Sequence, residues 1–194
     1  MPLAARRERQ RAERHQAIIA AARELAEAEG WDAVTTRRLA ERVEYSQPVL
    51  YSHFDGRDAI VRAVAIQGFD ELASQLRLAR VAAHEPRAAA RELCDAYMRF
   101  AAEHPAVYQA MFVLPTDVKF ASDETPLPLR AGFEEFVGAV RPYSAQPELD
   151  AEVLWSALHG MAALSQGGRI PANGRDARLD LLVERLVAGR PGSA

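Results

Sequence analysis

Between residues 35 and 54, polar and small side chains have a spacing that suits contact with the edges of DNA bases. Glutamine can pair bidentately with adenine, and an apolar valine side chain can contact a thymine methyl group. If Leu50 and Phe54 face a core, the outward positions of the same segment are Gln47, Pro48, Val49 and Ser52. This segment is therefore predicted to present a base-reading face.

Two short helices are predicted to hold these side chains. Thr35 is an N-cap type residue at the start of the first helix, and Ser46 can cap a second helix that runs to Phe54. Pro48 falls in the first turn of the second helix, where its missing N–H costs little. Two short helices joined by a tight turn form a helix-turn-helix, whose second helix enters the major groove.

The rest of the chain also has helical periodicity. A helix is predicted from Arg11 to Glu29, stopped by Gly30, and a long helix from Arg57 to Leu78. Further helices are predicted at 86–103, 105–113, 127–140, 148–164 and 175–188. The segments 113–128 and 166–173 are predicted loops.

No run alternates apolar and polar residues as a strand would, so the predicted fold is all-α. The predicted domains are a DNA-binding domain over residues 1–65, with three helices and an Arg-rich N-terminal arm, and a larger C-terminal helical domain over 66–190.

The composition argues against a disulfide-stabilised protein and against a membrane-spanning one. The 194 residues are 49% hydrophobic and 26% charged, which is typical of a globular protein. Cys94, the one cysteine, permits no intrachain disulfide and is predicted to be a small buried side chain. No segment has the ~20 apolar residues of a membrane span, and the charged N-terminal stretch lacks the apolar h-region expected of a signal peptide. The protein is expected to be cytoplasmic, with no membrane partner.

Charge is unevenly distributed. The net charge is −3, yet the N-terminal arm carries five arginines against Glu8 and Glu13. The arginines of the arm are Arg6, Arg7, Arg9, Arg11 and Arg14. DNA binding depends on the location of positive charge and not on the total, and the arm could add backbone or minor-groove contacts.

The segment from Thr35 to Phe54, with the helix before it and the long helix after it, resembles the tetracycline-repressor (TetR) family over about residues 11–65. The resemblance rests on the runs Thr-Thr-Arg-x-Leu-Ala and Gln-Pro-x-Leu-Tyr-x-His. It implies base contacts from Arg37, Gln47, Pro48 and Val49. It implies phosphate contacts from Thr35, Thr36, Tyr51, His53 and Arg57. Ser52, between Tyr51 and His53 on the second short helix, is a further candidate for DNA contact.

Glu44 departs from the family pattern, because family members commonly have glycine at this turn position. A positive φ costs a non-glycine residue roughly 1 kcal/mol or more. Whether the turn keeps its shape is open on the sequence alone, and a carboxylate near a phosphate would also repel it.

The C-terminal part resembles a class of the TetR family marked by Trp-x-x-x-His-Gly, here Trp155 to Gly160. The resemblance implies a homodimer through the last two helices, whose apolar positions exceed the needs of one small domain. It also implies a pocket for a small, partly hydrophobic effector. The candidate ligand-binding residues are Tyr97, Phe100, Tyr108, Met111, Phe112, Phe133, Trp155 and His159.

These patterns together predict a homodimeric repressor that a small ligand releases from a palindromic double-stranded DNA operator. Two alternatives remain open: an interaction protein whose helix-turn-helix no longer reads DNA, and an all-helical enzyme. No catalytic residue, metal ligand or cofactor is predicted, because the five histidines are scattered and no nucleotide-binding or metalloprotease motif is present.

Overall fold

The computed structural model describes residues 3–188, and these residues form α-helices and two short 3-10 turns without any strand. The helices are α1 Leu3–Glu29, α2 Thr36–Arg42, α3 Gln47–Tyr51, α4 Arg57–Ala82, α5 Pro86–Glu103, α6 Pro105–Phe112, α7 Leu127–Val140, α8 Pro147–Gln166 and α9 Arg175–Ala188. The predicted all-α fold is confirmed.

Helix boundaries follow the proline and glycine positions closely. Pro86, Pro105 and Pro147 each begin a helix, where their fixed φ fits and their missing N–H is not needed. Gly30 ends α1 with a φ of 83° that other residues rarely adopt. Since these residues punctuate the sequence, the bounds of α5, α7 and α9 agree with the prediction.

Three predicted boundaries were wrong by three residues or more. Helix α1 begins at Leu3 and not at Arg11, so the described part of the Arg-rich arm is helical. Helix α4 continues to Ala82 instead of ending at Leu78. Helix α3 ends at Tyr51 and not at Phe54, and the Ser52 hydroxyl donates a hydrogen bond to the carbonyl of Val49 at 2.6 Å.

The chain divides into two compact units. The first comprises Met1–Gly68 and His104–Val118, and the second comprises Phe69–Glu103 and Lys119–Ala194. The segment around α6 thus belongs to the first unit, although it follows α5 in sequence. The functional division at residue 65 remains a prediction.

Helix α6 is held in the first unit through contacts with α1 and the turn after it. The Glu27 carboxylate accepts hydrogen bonds from the backbone N–H groups of Ala106 and Val107, at 3.1 and 3.2 Å. These are two of the N–H groups that the first turn of a helix leaves unpaired. The indole of Trp31 donates to the carbonyl oxygen of Ala106 at 2.7 Å. Gly68 on α4 approaches α6 so closely that a Cβ would lie 2.5 Å from the Val107 side chain.

The second unit is built around α5, which packs against α7, α8 and α9. Its core is apolar and includes Leu93, Cys94, Phe100, Leu154 and Leu179, all essentially inaccessible to solvent. Arg91 on α5 ion-pairs with Asp180 and Asp176 on α9, at 2.7 and 3.2 Å. Arg80 pairs with Glu135 at 2.7 Å. The apolar core and these ion pairs fix the helices that carry most of the predicted ligand residues.

Candidate DNA-binding site and effector region

The predicted helix-turn-helix is formed by α2 and α3. The Thr35 side chain accepts a hydrogen bond from the backbone N–H of Arg38 at 3.2 Å, and so caps α2 as predicted. The backbone N–H of Tyr45 donates to the carbonyl of Ala40 at 2.9 Å and closes the end of α2. Leu39 and Ala40 are buried, which anchors α2 to the rest of the unit.

The turn between α2 and α3 keeps a left-handed residue even though glutamate, and not glycine, occupies position 44. The φ of Glu44 is 56°, in the left-handed region, and its N–H donates to the Glu41 carbonyl at 3.3 Å. A glutamate therefore occupies a conformation that suits glycine, and it bears the associated backbone strain. Its side chain is exposed.

Helix α3 separates a core face from an outer face. Leu50 is fully buried and Phe54 is 6% exposed, as the prediction required. Gln47, Pro48 and Ser52 are exposed, and Val49 is half-buried. Tyr51 is 52% exposed, which is unusual for a tyrosine that only packs in a core. Its hydroxyl lies 3.4 Å from the Thr36 hydroxyl, so the start of α2 and the end of α3 meet.

Arginines near this face differ in what they contact. Arg37 on α2 is 79% exposed and pairs with Glu41 at 3.0 Å, an exposed contact that a DNA group could displace at small cost. Arg57 instead donates to the carbonyls of Val34 and Trp31, at 3.1 and 2.9 Å. Arg57 thus ties the turn after α1 to the start of α4 in addition to its predicted phosphate contact.

His53 is the second residue after α3 and faces the N-terminal half of α1. Its ring centroid is 6.1 Å from that of His15, and the His15 ring stacks on Phe54 at 4.3 Å. Burial, together with the nearby charges of His15, Arg11 and Arg14, lowers the pKa of His53. Its Nδ1 atom is buried and makes no hydrogen bond within the part of the chain that is described.

The predicted ligand-binding residues fall into two groups, one in each unit. In the second unit, Tyr97 and Phe100 are fully buried, while Phe133, Trp155 and His159 are half-buried. The Trp155 indole donates to the Tyr97 hydroxyl at 3.2 Å. Tyr108, Met111 and Phe112 belong to the first unit, where the rings of Tyr108 and Phe112 lie 4.8 Å apart.

Sequence reasoning missed Phe136, whose ring packs edge-on against Tyr97 at 5.8 Å. Its position three residues after Phe133 on α7 was the available signal, since such residues share a helix face.

Burial lowers the pKa of His159, which lies one turn after Trp155 on α8.

Two open cavities in the described part of the chain are lined by residues other than the predicted ligand residues. One, of about 720 Å³, lies between α4 and α5 and is lined by Leu78, Ala82, Glu92 and Arg99 among others. The other, of about 380 Å³, lies in the first unit, and its lining residues are Arg7, Gln10, Arg11, Arg14, Ser52 and His53.

The described helices offer no site for a metal ion made of three or more His, Cys, Asp or Glu side chains. Within residues 3–188, no helix is long and apolar enough to cross a membrane.

Two family models match the chain. One, described as "Bacterial regulatory proteins, tetR family", matches residues 18–64. The other, described as "Tetracyclin repressor-like, C-terminal domain", matches residues 90–189. The first covers the helix-turn-helix with its neighbouring helices, and the second covers most of α5 to α9.

The curated relatives of this chain are also transcriptional regulators. An uncharacterized HTH-type transcriptional regulator of Mycobacterium tuberculosis is 30% identical over 178 residues, which cover 90% of this chain and 80% of the relative. The class G tetracycline repressor protein of Vibrio anguillarum is 47% identical over 47 residues, or 24% of this chain and 22% of that repressor.

Solved structures show the same fold. A protein of unknown function from Rhodococcus sp. RHA1 has a TM-score of 0.76 at 24% identity, covering 91% of this chain and 94% of that one. A TetR variant from Acinetobacter baumannii, in complex with minocycline, has a TM-score of 0.63 at 21% identity, covering 89% and 93%. The family models and the mycobacterial relative show that this chain belongs to the tetracycline-repressor (TetR) family of transcriptional regulators.

Proposed function

We propose that this regulator is a homodimeric repressor that binds a palindromic DNA operator through α2 and α3 and leaves it when a small, partly hydrophobic ligand binds. The observation that carries the DNA assignment is the outer face of α3. Gln47, Pro48 and Tyr51 project to solvent from a helix that Leu50 and Phe54 fix to the core. Side chains that must enter a groove need this combination of exposure and rigid support.

The proposed contacts divide into two kinds. Arg37, Gln47, Pro48 and Val49 approach base edges and select the sequence. Phosphate contacts set affinity and register, and the residues proposed for them are Thr35, Thr36, Tyr51, Ser52, His53 and Arg57. The meeting of Thr36 and Tyr51 supports a shared phosphate between α2 and α3.

The proposed dimer interface is an exposed apolar stripe on α8, together with an exposed leucine of α9. Leu149, Val153 and Leu164 are 53%, 61% and 40% exposed, and their spacing places them on one face of α8. A Cβ added at Gly160, on the same face, would meet open space. Leu181 on α9 is 51% exposed. A two-fold dimer through this surface would present two α3 helices to half-sites about 34–36 Å apart or a multiple of that.

We place the effector among the aromatic side chains of α5, α7 and α8. Trp155 and His159 lie one turn apart on α8, and Trp155 is bonded to the buried Tyr97. This arrangement supports membership of the Trp-x-x-x-His-Gly class. The minocycline complex of the Acinetobacter TetR variant is a precedent within the same fold for a partly hydrophobic ligand.

The decisive experiment is selection of DNA from a library of random-sequence duplexes with the purified protein, followed by titration of the recovered duplex. We expect a palindrome that binds tightly, with an affinity that falls steeply as salt rises. Arg37→Ala and Gln47→Ala should each weaken binding by roughly 1–3 kcal/mol and relax specificity at one position per half-site.

Arg77→Ala is the matched control, because Arg77 is an exposed arginine on α4 in the second unit. It should leave binding unchanged. Failure to enrich any sequence, with binding insensitive to Arg37→Ala and Gln47→Ala, would contradict the repressor and favour an interaction protein.

A further inference from the structure

A cationic cavity lies beside the end of α3, between that end and the first turns of α1. Arg7, Arg11 and Arg14 line it from α1, and Ser52 and His53 line it from the segment that follows α3. Its volume of about 380 Å³ is within the ~300–1,000 Å³ of ordinary ligand clefts.

The spacing of the arginines explains why one face of α1 is so positive. Residues at i, i+4 and i+7 of a helix project on the same side, and Arg7, Arg11 and Arg14 have this spacing. The acidic residues of the same stretch, Glu8 and Glu13, do not line the cavity.

Among the described residues, no carboxylate forms an ion pair with the arginines that line the cavity. Elsewhere on the first unit, arginine is paired with glutamate, as in Arg38 with Glu29 and Arg42 with Glu24. The ion pairs formed among residues 3–188 leave the guanidinium groups of Arg7, Arg11 and Arg14 without such a carboxylate. Arg14 instead lies over the ring of Tyr45, 6.0 Å from its centroid.

His53, which lines the same cavity, has a buried polar atom without a hydrogen-bond partner among the described residues. Its Nδ1 atom makes no hydrogen bond within the described chain, although it is buried from solvent. Since Arg11 and Arg14 help to lower the pKa of His53, their positive field reaches into the cavity. An anion would relieve both features at once, because it would neutralise the positive field and accept a hydrogen bond from the neutral ring in its Nδ1–H tautomer.

We infer that this cavity binds one DNA backbone phosphate per half-site, held jointly by α1 and by Ser52 and His53, two of the residues already proposed as phosphate contacts. Arg7, Arg11 and Arg14 supply the charge, and Ser52 and His53 add polar groups to the lining. Arginine suits this role because its planar fork of donors matches phosphate oxygens. The cavity is continuous with the proposed DNA surface, since Ser52 belongs to both.

This inference rests on the proposed function and deepens it. The first turns of α1 thus extend the DNA footprint along the backbone without adding sequence information. Loss of one such contact should make the logarithmic dependence of affinity on salt less steep by about 1 per protomer.

The test is ethylation interference on the selected duplex, with the wild type, Arg11→Gln and Arg6→Gln. Arg6→Gln is the matched control, because Arg6 lies on the same arm but does not line the cavity. We expect Arg11→Gln to lose interference at one phosphate per half-site, to keep the other interfering phosphates and the base preference, and to show the shallower salt dependence. Arg6→Gln should keep the wild-type pattern.

An Arg11→Gln pattern and salt dependence identical to those of the wild type would overturn the inference while leaving the repressor function intact. If the wild type binds no duplex, both fail. Inorganic phosphate provides a third arm, tested at constant ionic strength by its effect on the melting temperature of the DNA-free protein. Saturable stabilisation that Arg11→Gln abolishes, together with an unchanged interference pattern, would assign the cavity to free phosphate and overturn the DNA assignment.

Discussion

At the residue scale, the turn between α2 and α3 carries backbone strain. Glu44 adopts a φ of 56° there. We expect Glu44→Gly to raise the free energy of unfolding by about 1 kcal/mol, because glycine has no Cβ to clash in the left-handed region. Urea unfolding measures the change. Glu41→Gly, within α2, should lower the unfolding free energy by roughly the same amount, and equal losses in both variants would contradict strain at Glu44.

Burial of histidine makes the stability of the fold depend on pH. Burial lowers the pKa of His159. Below a pH of about 6.5, the ordinary pKa of histidine, this side chain therefore binds a proton more readily in the unfolded chain than in the folded protein. Stability is therefore full above that pH and declines as the pH falls. Burial is also the main cause that lowers the pKa of His53, so this residue makes stability depend on pH in the same direction.

We expect the free energy of unfolding of His159→Gln to fall less than that of the wild type between about pH 7.5 and about pH 5.5. Urea titrations at both pH values measure it. Carboxylates titrate equally in both proteins, so the difference isolates this side chain, and an unchanged pH dependence would show that His159 is not held neutral by the fold.

Individual residues also show where sequence reasoning succeeded and where it stopped. Cys94 is buried as predicted, and burial raises the pKa of its thiol to about 12, so it stays protonated. The outward face of α3 followed from the position of Leu50. The contacts of Arg57 did not, because the carbonyls of Val34 and Trp31 are more than twenty residues away in sequence.

At the scale of elements, α6 depends on a cap supplied by another helix. The Glu27 carboxylate of α1 accepts from two N–H groups at the start of α6. We expect Glu27→Ala to cost about 1–3 kcal/mol of unfolding free energy, because two partly buried donors lose a charged acceptor. Thermal or urea unfolding measures it.

Glu24→Ala is the control for this cap. Glu24 lies one turn earlier on α1 and is 65% exposed in its pair with Arg42, so its loss should cost less than about 1 kcal/mol. Equal costs for the two variants would argue against a special role for Glu27.

Elements bounded by proline or glycine could be predicted from the sequence, and the others less well. Helix α7 begins and ends as predicted. The first turns of α1 were missed because their arginines and glutamates form no apolar stripe, although these residues favour helix intrinsically. The Glu27 cap was not foreseeable either, because it joins residues 79 and 80 positions apart.

At the scale of the whole molecule, the exposed stripe on α8 predicts the assembly. A charge at Val153 would be buried without a partner in the proposed two-fold interface, and a buried unpaired charge is strongly destabilising. We expect Val153→Glu to convert a dimer to a monomer in sedimentation velocity and to weaken binding to the palindrome. Ser165→Glu, exposed on α8 outside the stripe, should remain dimeric. A Val153→Glu protein that stays dimeric would move the interface elsewhere.

Trp31 and Trp155 are the two tryptophans of the chain, and each compact unit holds one of them. Trp31 is 4% exposed and bonded to a backbone carbonyl, whereas Trp155 is half-buried and bonded to a tyrosine hydroxyl. The chain thus contains a separate intrinsic fluorophore for each unit. We expect the emission of a Trp155→Phe variant to report unfolding of the first unit, and that of a Trp31→Phe variant to report ligand binding at the effector site proposed for the second unit.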